Sequence, residues 1–356
     1  VYDHRTSEEA CPHPCVLESA WRCRNRGGRR GVDVLCYYLN MFDVITVGTA
    51  TQDVFLRFAH GKANCFVEGS KNDIEKPIFA TGGGAINAAV TFARQGFKTA
   101  VLCRVGDDVG GKNLWEELKK ENIHFWKIKD DKSGTGYATI LLSSSGERTI
   151  LSYRGASENL QKKEIPFSEL KGKWLYIVPS HIDTFVMEKL VEHCHYQGMQ
   201  IAMNPSKFYL EKGISHLKTF LNKTKVLILN KEEASFLTGF TEKKDIFKKL
   251  DELVKGIAVM TDGHRGVTVS DGKKIYQAGI FKEKEIVDRT GAGDAFGSGF
   301  VAGLLLKENI EYAIRLGSAN ATSVVEEVGA HVTALTRHQF EHEHRWNNLD
   351  IKIHDI

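Results

Sequence analysis

The pattern that most constrains the fold is a regular alternation of short apolar runs and helical segments after Met41. The runs have the length of buried strands and cover residues 44–47, 100–104, 174–178, 201–204, 226–229 and 257–260. Helical spacing of apolar residues fills the intervals, for example at 85–95, 113–121, 185–196, 232–237 and 247–254. This alternation predicts a three-layer α/β/α domain with a mainly parallel central sheet.

Other segments do not follow this alternation. Residues 54–79 and 125–154 are rich in β-formers and turns, and 137–142 with 148–153 have the pattern of a hairpin. Residues 1–40 do not begin with Met, are rich in Arg, Cys and Gly, and show no periodicity. We therefore expect an extension over 1–40 that is not part of the fold, with Met41 as the functional start, a domain over 41–335, and a polar C-terminal tail over 336–356.

Composition excludes several classes of function. The 356 residues carry a formal net charge of +3 with basic and acidic residues interspersed, so neither nucleic acid nor a membrane is an expected partner. Seven cysteines are an odd number and suit the reduced thiols of a cytoplasmic enzyme. The turn after the first strand, GTATQ at 48–52, lacks the G-x-G-x-x-G of a dinucleotide-binding oxidoreductase.

A loop of small residues, DRTGAGD at 288–294, leads directly into an apolar helical segment. Glycine lets the backbone approach a ligand closely, and the first amides of a helix have no intrahelical partner. The amides of Gly291, Ala292 and Gly293 would thus form an anion hole for a phosphate. Asp294, in the first turn, is placed to take a proton from an alcohol, which indicates phosphoryl transfer. The alternative is an Asp that only caps the helix.

This loop closely resembles the C-terminal signature of the ribokinase-like (pfkB) family of carbohydrate and nucleoside kinases. The family's N-terminal signature is similar to TGGGAINAA at 81–89 followed by VGDDVG at 105–110. The resemblance covers residues 42–335, and two motifs in the right order are more specific than either alone. It implies an ATP-dependent kinase of a small polyol that uses Mg²⁺. It also implies a β-sheet lid over the substrate, from about 54–79 and 125–154, which is compatible with a homodimer through the lid.

The expected substrate contacts begin with Asp53, which follows the first strand. A carboxylate there can accept hydrogen bonds from two neighbouring hydroxyls. Gly82 and Gly83 would allow close approach of a sugar, and Asn87, one helical turn later, offers a donor and an acceptor. The family resemblance assigns all four positions to the substrate. Capping of a helix or turn is the alternative for both polar side chains.

The acceptor itself stays open at this point. Gly84 stands where true ribokinases carry a Lys, which weighs against ribose itself and phosphorylated sugars. Arg154 follows a Tyr, as in relatives that phosphorylate keto-deoxy sugar acids, where the Arg meets the substrate carboxylate. A structural Arg bonded to loop carbonyls is the alternative. A sugar is the first expectation, a nucleoside or a keto-deoxy sugar acid the next, and a non-catalytic sugar-binding module a remote one.

Two further motifs are expected around the nucleotide. Asn230 and Glu233 match the family's N-x-x-E motif, which helps to place Mg²⁺ through its waters. Thr261, Gly263 and Gly266 resemble its T-x-G-x-x-G segment beside the nucleotide phosphates. Helix capping by the Asn and an ordinary β-turn at the Asp-Gly dipeptide are the alternatives.

Asp288 and Thr290 lie on the approach to the anion hole. In many relatives this stretch, with backbone near Gly329, forms a monovalent-cation site. Arg289 departs from the small or hydroxylated residue that is usual between them. The resemblance therefore names K⁺ as an optional further cofactor and leaves K⁺ dependence open.

Overall fold

The structure is a computed structural model that describes residues 41–58, 68–69, 71–142 and 148–356. The predicted extension over 1–40 lies outside the described residues, as do parts of the predicted lid at 59–67, 70 and 143–147. Residues Phe42–Ile356 form one compact unit.

Sixteen strands and ten α-helices lie along the described residues. The strands are β1 (Phe42–Gly48), β2 (Thr51–Phe58), β3 (Ile74–Gly82), β4 (Thr99–Leu102), β5 (Arg104–Gly106), β6 (His124–Phe125), β7 (Ile128–Asp130), β8 (Gly136–Leu142), β9 (Arg148–Tyr153), β10 (Gly172–Val178), β11 (Gln200–Met203), β12 (Val226–Asn230), β13 (Ile257–Thr261), β14 (Val267–Ser270), β15 (Lys274–Ala278) and β16 (Ile351–Asp355). The α-helices are α1 (Gly84–Arg94), α2 (Val109–Lys120), α3 (Thr184–Tyr196), α4 (Lys207–Leu210), α5 (Gly213–Leu221), α6 (Lys231–Thr238), α7 (Lys243–Leu253), α8 (Ala292–Lys307), α9 (Ile310–Val324) and α10 (Arg337–His342).

The central sheet has ten strands in the order β16-β15-β14-β13-β12-β11-β10-β1-β4-β6. The seven strands from β13 to β6 run parallel, and β14, β15 and β16 continue the sheet antiparallel. Every strand-like run predicted from the sequence lies wholly or mainly within a strand of the parallel part. The predicted mainly parallel sheet is thus confirmed.

Helices cover both faces of the sheet, because neighbouring strand residues point to opposite sides. One face buries Ile45, Leu175 and Leu227 against side chains of α3, α5 and α7. The other buries Val44, Tyr176 and Ile228 against side chains of α1, α8 and α9. On that second face α8 and α9 pack closely, and a Cβ at Gly303 would lie 2.5 Å from the Cα of Ala313. The three-layer arrangement follows from this two-sided burial.

A second sheet of four strands, in the order β3-β2-β8-β9, forms the small sheet expected as the lid. Its bounds differ from the expectation of 125–154. β6 pairs with β4 at the edge of the central sheet, and β7 pairs with β5, so this part of the lid begins only at Gly136. β6 and β7 resemble lid strands in composition, and only their pairing with β4 and β5 shows that they lie outside the lid sheet. β2 and β3 also extend beyond 54–79, which places Asp53 and Gly82 on lid strands.

The prediction of a C-terminal tail over 336–356 is wrong. β16 pairs antiparallel with β15 and forms an edge of the central sheet. Phe340 and Trp346 are buried in the same apolar cluster as α8 and α9. Thr336 and Gln339 form a capping box that starts α10. Among the described helices, none is long and apolar enough to cross a membrane.

Candidate active site

The glycine-rich loop ends at the first turn of α8. Gly291 caps the helix with a left-handed backbone (φ 80°), and a Cβ there would lie 2.4 Å from the carbonyl oxygen of Ala330. Any other residue would strain the backbone and push that loop away. A Cβ at Gly293 would meet nothing within 4 Å, so the backbone there is open to a ligand. The N-terminus of α8 therefore has the geometry of an anion hole.

Asp294 lies beside this turn. The amide of Asn87, on α1, donates from Nδ2 to Oδ2 of the carboxylate over 2.9 Å. Burial raises the pKa of Asp294 above its usual value, and the bond from Asn87 opposes part of that rise. A carboxylate with a raised pKa is a stronger proton acceptor, as a general base for an alcohol requires.

Asp53 is buried at 4% exposure on β2. Burial raises its pKa to about 6, a hydrogen bond from Thr51 lowers it, and the charge of Asp288 raises it further. Its Oδ1 is buried and has no hydrogen-bond partner among the described residues. A buried carboxylate oxygen without a donor is costly, which suits an atom that a ligand's hydroxyl completes.

Gly82 and Gly83 join the lid to α1, and both have a packing reason to be glycine. A Cβ at Gly82 would lie 2.0 Å from Oδ2 of Asp53. Gly83 has φ 93°, and its Cβ would lie 2.5 Å from the carbonyl oxygen of Thr49. The missing side chains thus make room for the Asp53 carboxylate and for the turn after β1, whether or not a sugar also approaches here.

A cavity of about 310 Å³ opens next to the anion hole, at the carboxyl ends of β12 and β13. Six residues that the sequence pointed to line it: Asn230, Thr261, Gly263, Gly266, Ala292 and Gly293. Arg148, His264 and Arg289 line it as well, and the sequence assigned none of them to the nucleotide. Arg148 comes from lid strand β9, and no local pattern indicates that its strand borders this cavity.

Asn230 and Glu233 form a capping box at the start of α6. The amide of Glu233 donates to Oδ1 of Asn230, and the amide of Asn230 donates to Oε2 of Glu233, both over 2.8 Å. The capping alternative is therefore realised. Burial raises the pKa of Glu233, the Asn230 amide lowers it, and the charges of Glu232 and Asp294 raise it. Capping fixes both side chains, of which Asn230 lines the cavity, and is compatible with waters of Mg²⁺ beyond them.

Asp288 is fully buried and ties two loops together. It accepts hydrogen bonds from the amides of Thr290 (2.9 Å) and Gly329 (3.3 Å). The hydroxyl of Thr290 is buried without a hydrogen-bond partner in the described part of the chain. A carboxylate and an unsatisfied hydroxyl oxygen are the kind of ligands that a hard cation takes, so these residues fit a monovalent ion.

Arg154 is engaged by the protein. Its Nη1 donates to Oγ of Ser180 over 2.7 Å, and its Nε lies 3.1 Å from Oε1 of Glu158. Glu158 also contacts His181. Among the residues that the structure describes, the guanidinium is thus held by the side chains of Ser180 and Glu158, not by the loop carbonyls that the structural alternative named. Sequence reasoning missed another residue, His331, whose Nδ1 lies 2.9 Å from Oδ1 of Asn87.

Comparison with known proteins identifies the family of the chain. A family model described as pfkB family carbohydrate kinase matches residues 41–337. A ribokinase of Haemophilus influenzae is 29% identical over 269 residues, which cover 73% of this chain and 86% of that protein.

Solved structures agree in fold. An adenosine kinase of Sinorhizobium meliloti superposes with a TM-score of 0.74 at 22% identity, covering 84% of this chain and 99% of that one. An Arabidopsis thaliana ribokinase, solved with ribose and ATP, gives a TM-score of 0.70 at 21% identity and covers 83% and 96%. The chain belongs to the pfkB family of carbohydrate kinases and is a phosphotransferase that acts on an alcohol group, as the sequence predicted.

Proposed function

We propose that this enzyme transfers the γ-phosphate of ATP to a hydroxyl of a small neutral sugar, with Asp294 as the general base. One observation is the main support for the proposal. Asp294 lies in the first turn of α8, next to the open backbone at Gly293 and to the cavity that Gly293 lines. Its carboxylate accepts a hydrogen bond from Asn87, which the resemblance assigns to the substrate. A relative described as a ribokinase is consistent with a neutral sugar as acceptor.

The chain's own groups divide the reaction between them. Asp53 and Asn87 orient the acceptor, and Asp294 takes the proton as the sugar oxygen bonds to the γ-phosphorus and the bond to the bridging oxygen breaks. The amides of Gly291, Ala292 and Gly293 stabilise charge on the transferred phosphoryl group. Thr261, Gly263 and Gly266 would line the remaining phosphates.

Two cations belong to the proposal. Asn230 and Glu233 would hold Mg²⁺ through its waters, and the ion would supply charge neutralisation on the phosphates. Asp288 and Thr290 would hold a monovalent cation such as K⁺, supported by the unsatisfied Thr290 hydroxyl. Arg289 lines the nucleotide cavity, and its side chain leaves this loop geometry intact.

The contacts of Arg154 favour a neutral acceptor. Glu158 already balances the guanidinium charge, and Ser180 occupies a second donor. A substrate carboxylate that approached the guanidinium would lie close to Glu158, which carries the same charge. We therefore place neutral sugars ahead of keto-deoxy sugar acids, with nucleosides as the second class to test.

Dimerisation through the lid is also proposed. Register places Phe79, Val54, Thr139 and Leu151 side by side across one face of the lid sheet. Phe79 and Leu151 at the two edges are 69% and 57% exposed. A second copy would cover these apolar side chains. Phe79→Asp should then shift the mass measured by light scattering from dimer to monomer, whereas a monomeric wild type would refute the proposal.

A substrate panel tests the proposed function. The purified protein with ATP and Mg²⁺ is given neutral sugars, sugar acids and nucleosides, and ADP release is measured. We expect the fastest release with a neutral sugar. If a keto-deoxy acid is a better substrate than every neutral sugar, the proposed acceptor class is wrong. If a nucleoside is the best substrate, the second candidate is favoured.

Because ATP is the proposed phosphate donor and Cys103 and Cys194 are free thiols, we also propose a cytoplasmic enzyme.

A further inference from the structure

A chain of side-chain hydrogen bonds runs from Asp294 into the core. Nδ2 of Asn87 donates to Asp294, and Nδ1 of His331 lies 2.9 Å from Oδ1 of Asn87. Nε2 of His331 lies 3.4 Å from Oγ1 of Thr81. Asn87 and His331 are each 4% exposed, and Thr81 is 8% exposed. Water therefore competes little for these bonds.

The chemistry of each group fixes the direction of every bond. An ionised Asp294 only accepts, so Asn87 must face it with its nitrogen. The amide oxygen of Asn87 then faces His331, whose Nδ1 must carry a proton and donate. In a neutral ring Nε2 becomes the acceptor for the hydroxyl of Thr81. The bonds are consistent with only one orientation of the amide and one tautomer of the ring.

The surroundings keep the ring neutral and fixed in place. Burial and the charge of Arg94 lower the pKa of His331 to about 4, and the charge of Glu121 opposes this. Asp294 faces the ring only through Asn87. The guanidinium of Arg94 donates to the carbonyl oxygens of His331 (3.1 Å), Val332 (2.9 Å) and Ala334 (3.0 Å). The loop that carries the ring is thereby fastened to α1.

We propose that His331 is a positioning residue for phosphoryl transfer, whose Nδ1–H fixes the amide of Asn87 so that it donates to Asp294. The inference rests on the proposed role of Asp294. It also limits what Asn87 can offer the substrate: one N–H is bonded to Asp294 and one lone pair of the oxygen to His331, so one N–H and one lone pair are left.

Losing the Nδ1 donor would leave the amide of Asn87 held only by its bond to Asp294, with its oxygen buried and without that partner. The side chain would then shift from its position, and the bond that lowers the pKa of Asp294 would weaken. Turnover would fall, and the acidic limb of its pH profile would move to higher pH.

Two substitutions separate this role from packing. His331→Leu fills similar space without a donor, whereas His331→Asn places an amide nitrogen near the position of Nδ1. We expect His331→Leu to lower kcat by about ten- to a hundredfold with KM for ATP unchanged. His331→Asn should stay within about threefold of the wild type. His193→Leu, on α3 across the central sheet, is the matched control and should leave kcat unchanged.

A second readout does not need activity or a folded variant. In protein labelled with ¹⁵N-histidine, the resonance assigned to His331 should show a neutral ring protonated at Nδ1 throughout the neutral range. An Nε2-protonated or charged ring would overturn the inference. So would His331→Leu with wild-type kcat and pH profile while Asp294→Asn is inactive. An active Asp294→Asn would instead refute the proposed function itself.

Discussion

Replacing Asp53 by Asn should stabilise the free enzyme while it weakens substrate binding. The carboxyl group is 4% exposed, and burial raises its pKa from the model-compound value of 3.8 to about 6. A rise of that size means that ionisation at pH 7 costs the folded state about 3 kcal/mol. The neutral amide keeps the same shape and avoids this cost, but it is still desolvated. We therefore expect a gain of about 1–3 kcal/mol in the free energy of unfolding.

The raised pKa of Asp53 also predicts how the stability difference between the wild type and Asp53→Asn changes with pH. Because the folded pKa of Asp53 lies above the unfolded value, the folded state binds more protons between pH 4 and 6. Stability contributed by the protonated group is present below pH 3.8 and is lost as pH rises through about 6. Urea unfolding at several pH values should therefore show the gain of Asp53→Asn near neutral pH and its disappearance near pH 4.

A matched aspartate should behave in the opposite way. Asp130 is also buried, but backbone amides of Lys132 and Ser133 and the charge of Arg104 lower its pKa. Asp130→Asn should therefore destabilise the protein at neutral pH.

Substrate binding gives a second measurement on Asp53→Asn. Added sugar should raise the melting temperature of the wild type but not that of Asp53→Asn, and the KM of the variant for the sugar should be higher by about ten- to a hundredfold. An Asp53→Asn protein less stable than the wild type at pH 7 would refute the reasoning.

Two further predictions concern the neighbouring groups. Arg154→Ala should lower the melting temperature by removing the bonds to Ser180 and Glu158, and the order of preferred substrates should not change; a selective loss of activity toward sugar acids would contradict this. Glu233→Gln keeps an acceptor for the capping bond but removes the charge, so helix α6 should remain stable. The Mg²⁺ concentration for half-maximal activity should rise several-fold. An unchanged Mg²⁺ titration would exclude Glu233 from the metal site.

The central sheet could be predicted from the sequence because its parallel strands are buried on both faces and appear as continuous apolar runs. β16 could not, since an edge strand with mostly exposed side chains has the composition of a polar tail. The predicted start of the second lid segment at residue 125 was wrong for a related reason. β6 has only two residues, and only its pairing with β4 assigns it to the central sheet.

The site was partly predictable for reasons that lie in local geometry. The anion hole and the residues after β12 and β13 are set by turns within a few residues, so short motifs identify them. His331 lies 244 positions after Asn87, and Arg148 reaches the cavity at the carboxyl ends of β12 and β13 from lid strand β9. No local pattern encodes contacts of that kind. Arg154 matched a short motif, but its partners Ser180 and Glu158 become visible only in three dimensions.

Formation of the phosphorylated sugar by the wild type and by Asp294→Asn is the most direct test of the central claim. The protein is mixed with ATP, Mg²⁺ and the best neutral sugar of the panel, and the sugar phosphate is quantified by mass spectrometry over time. We expect product with the wild type and a rate at least about a hundredfold lower for Asp294→Asn, because a general base commonly contributes that much. Both proteins should bind ATP and remain folded. Near-wild-type product formation by Asp294→Asn would contradict the account.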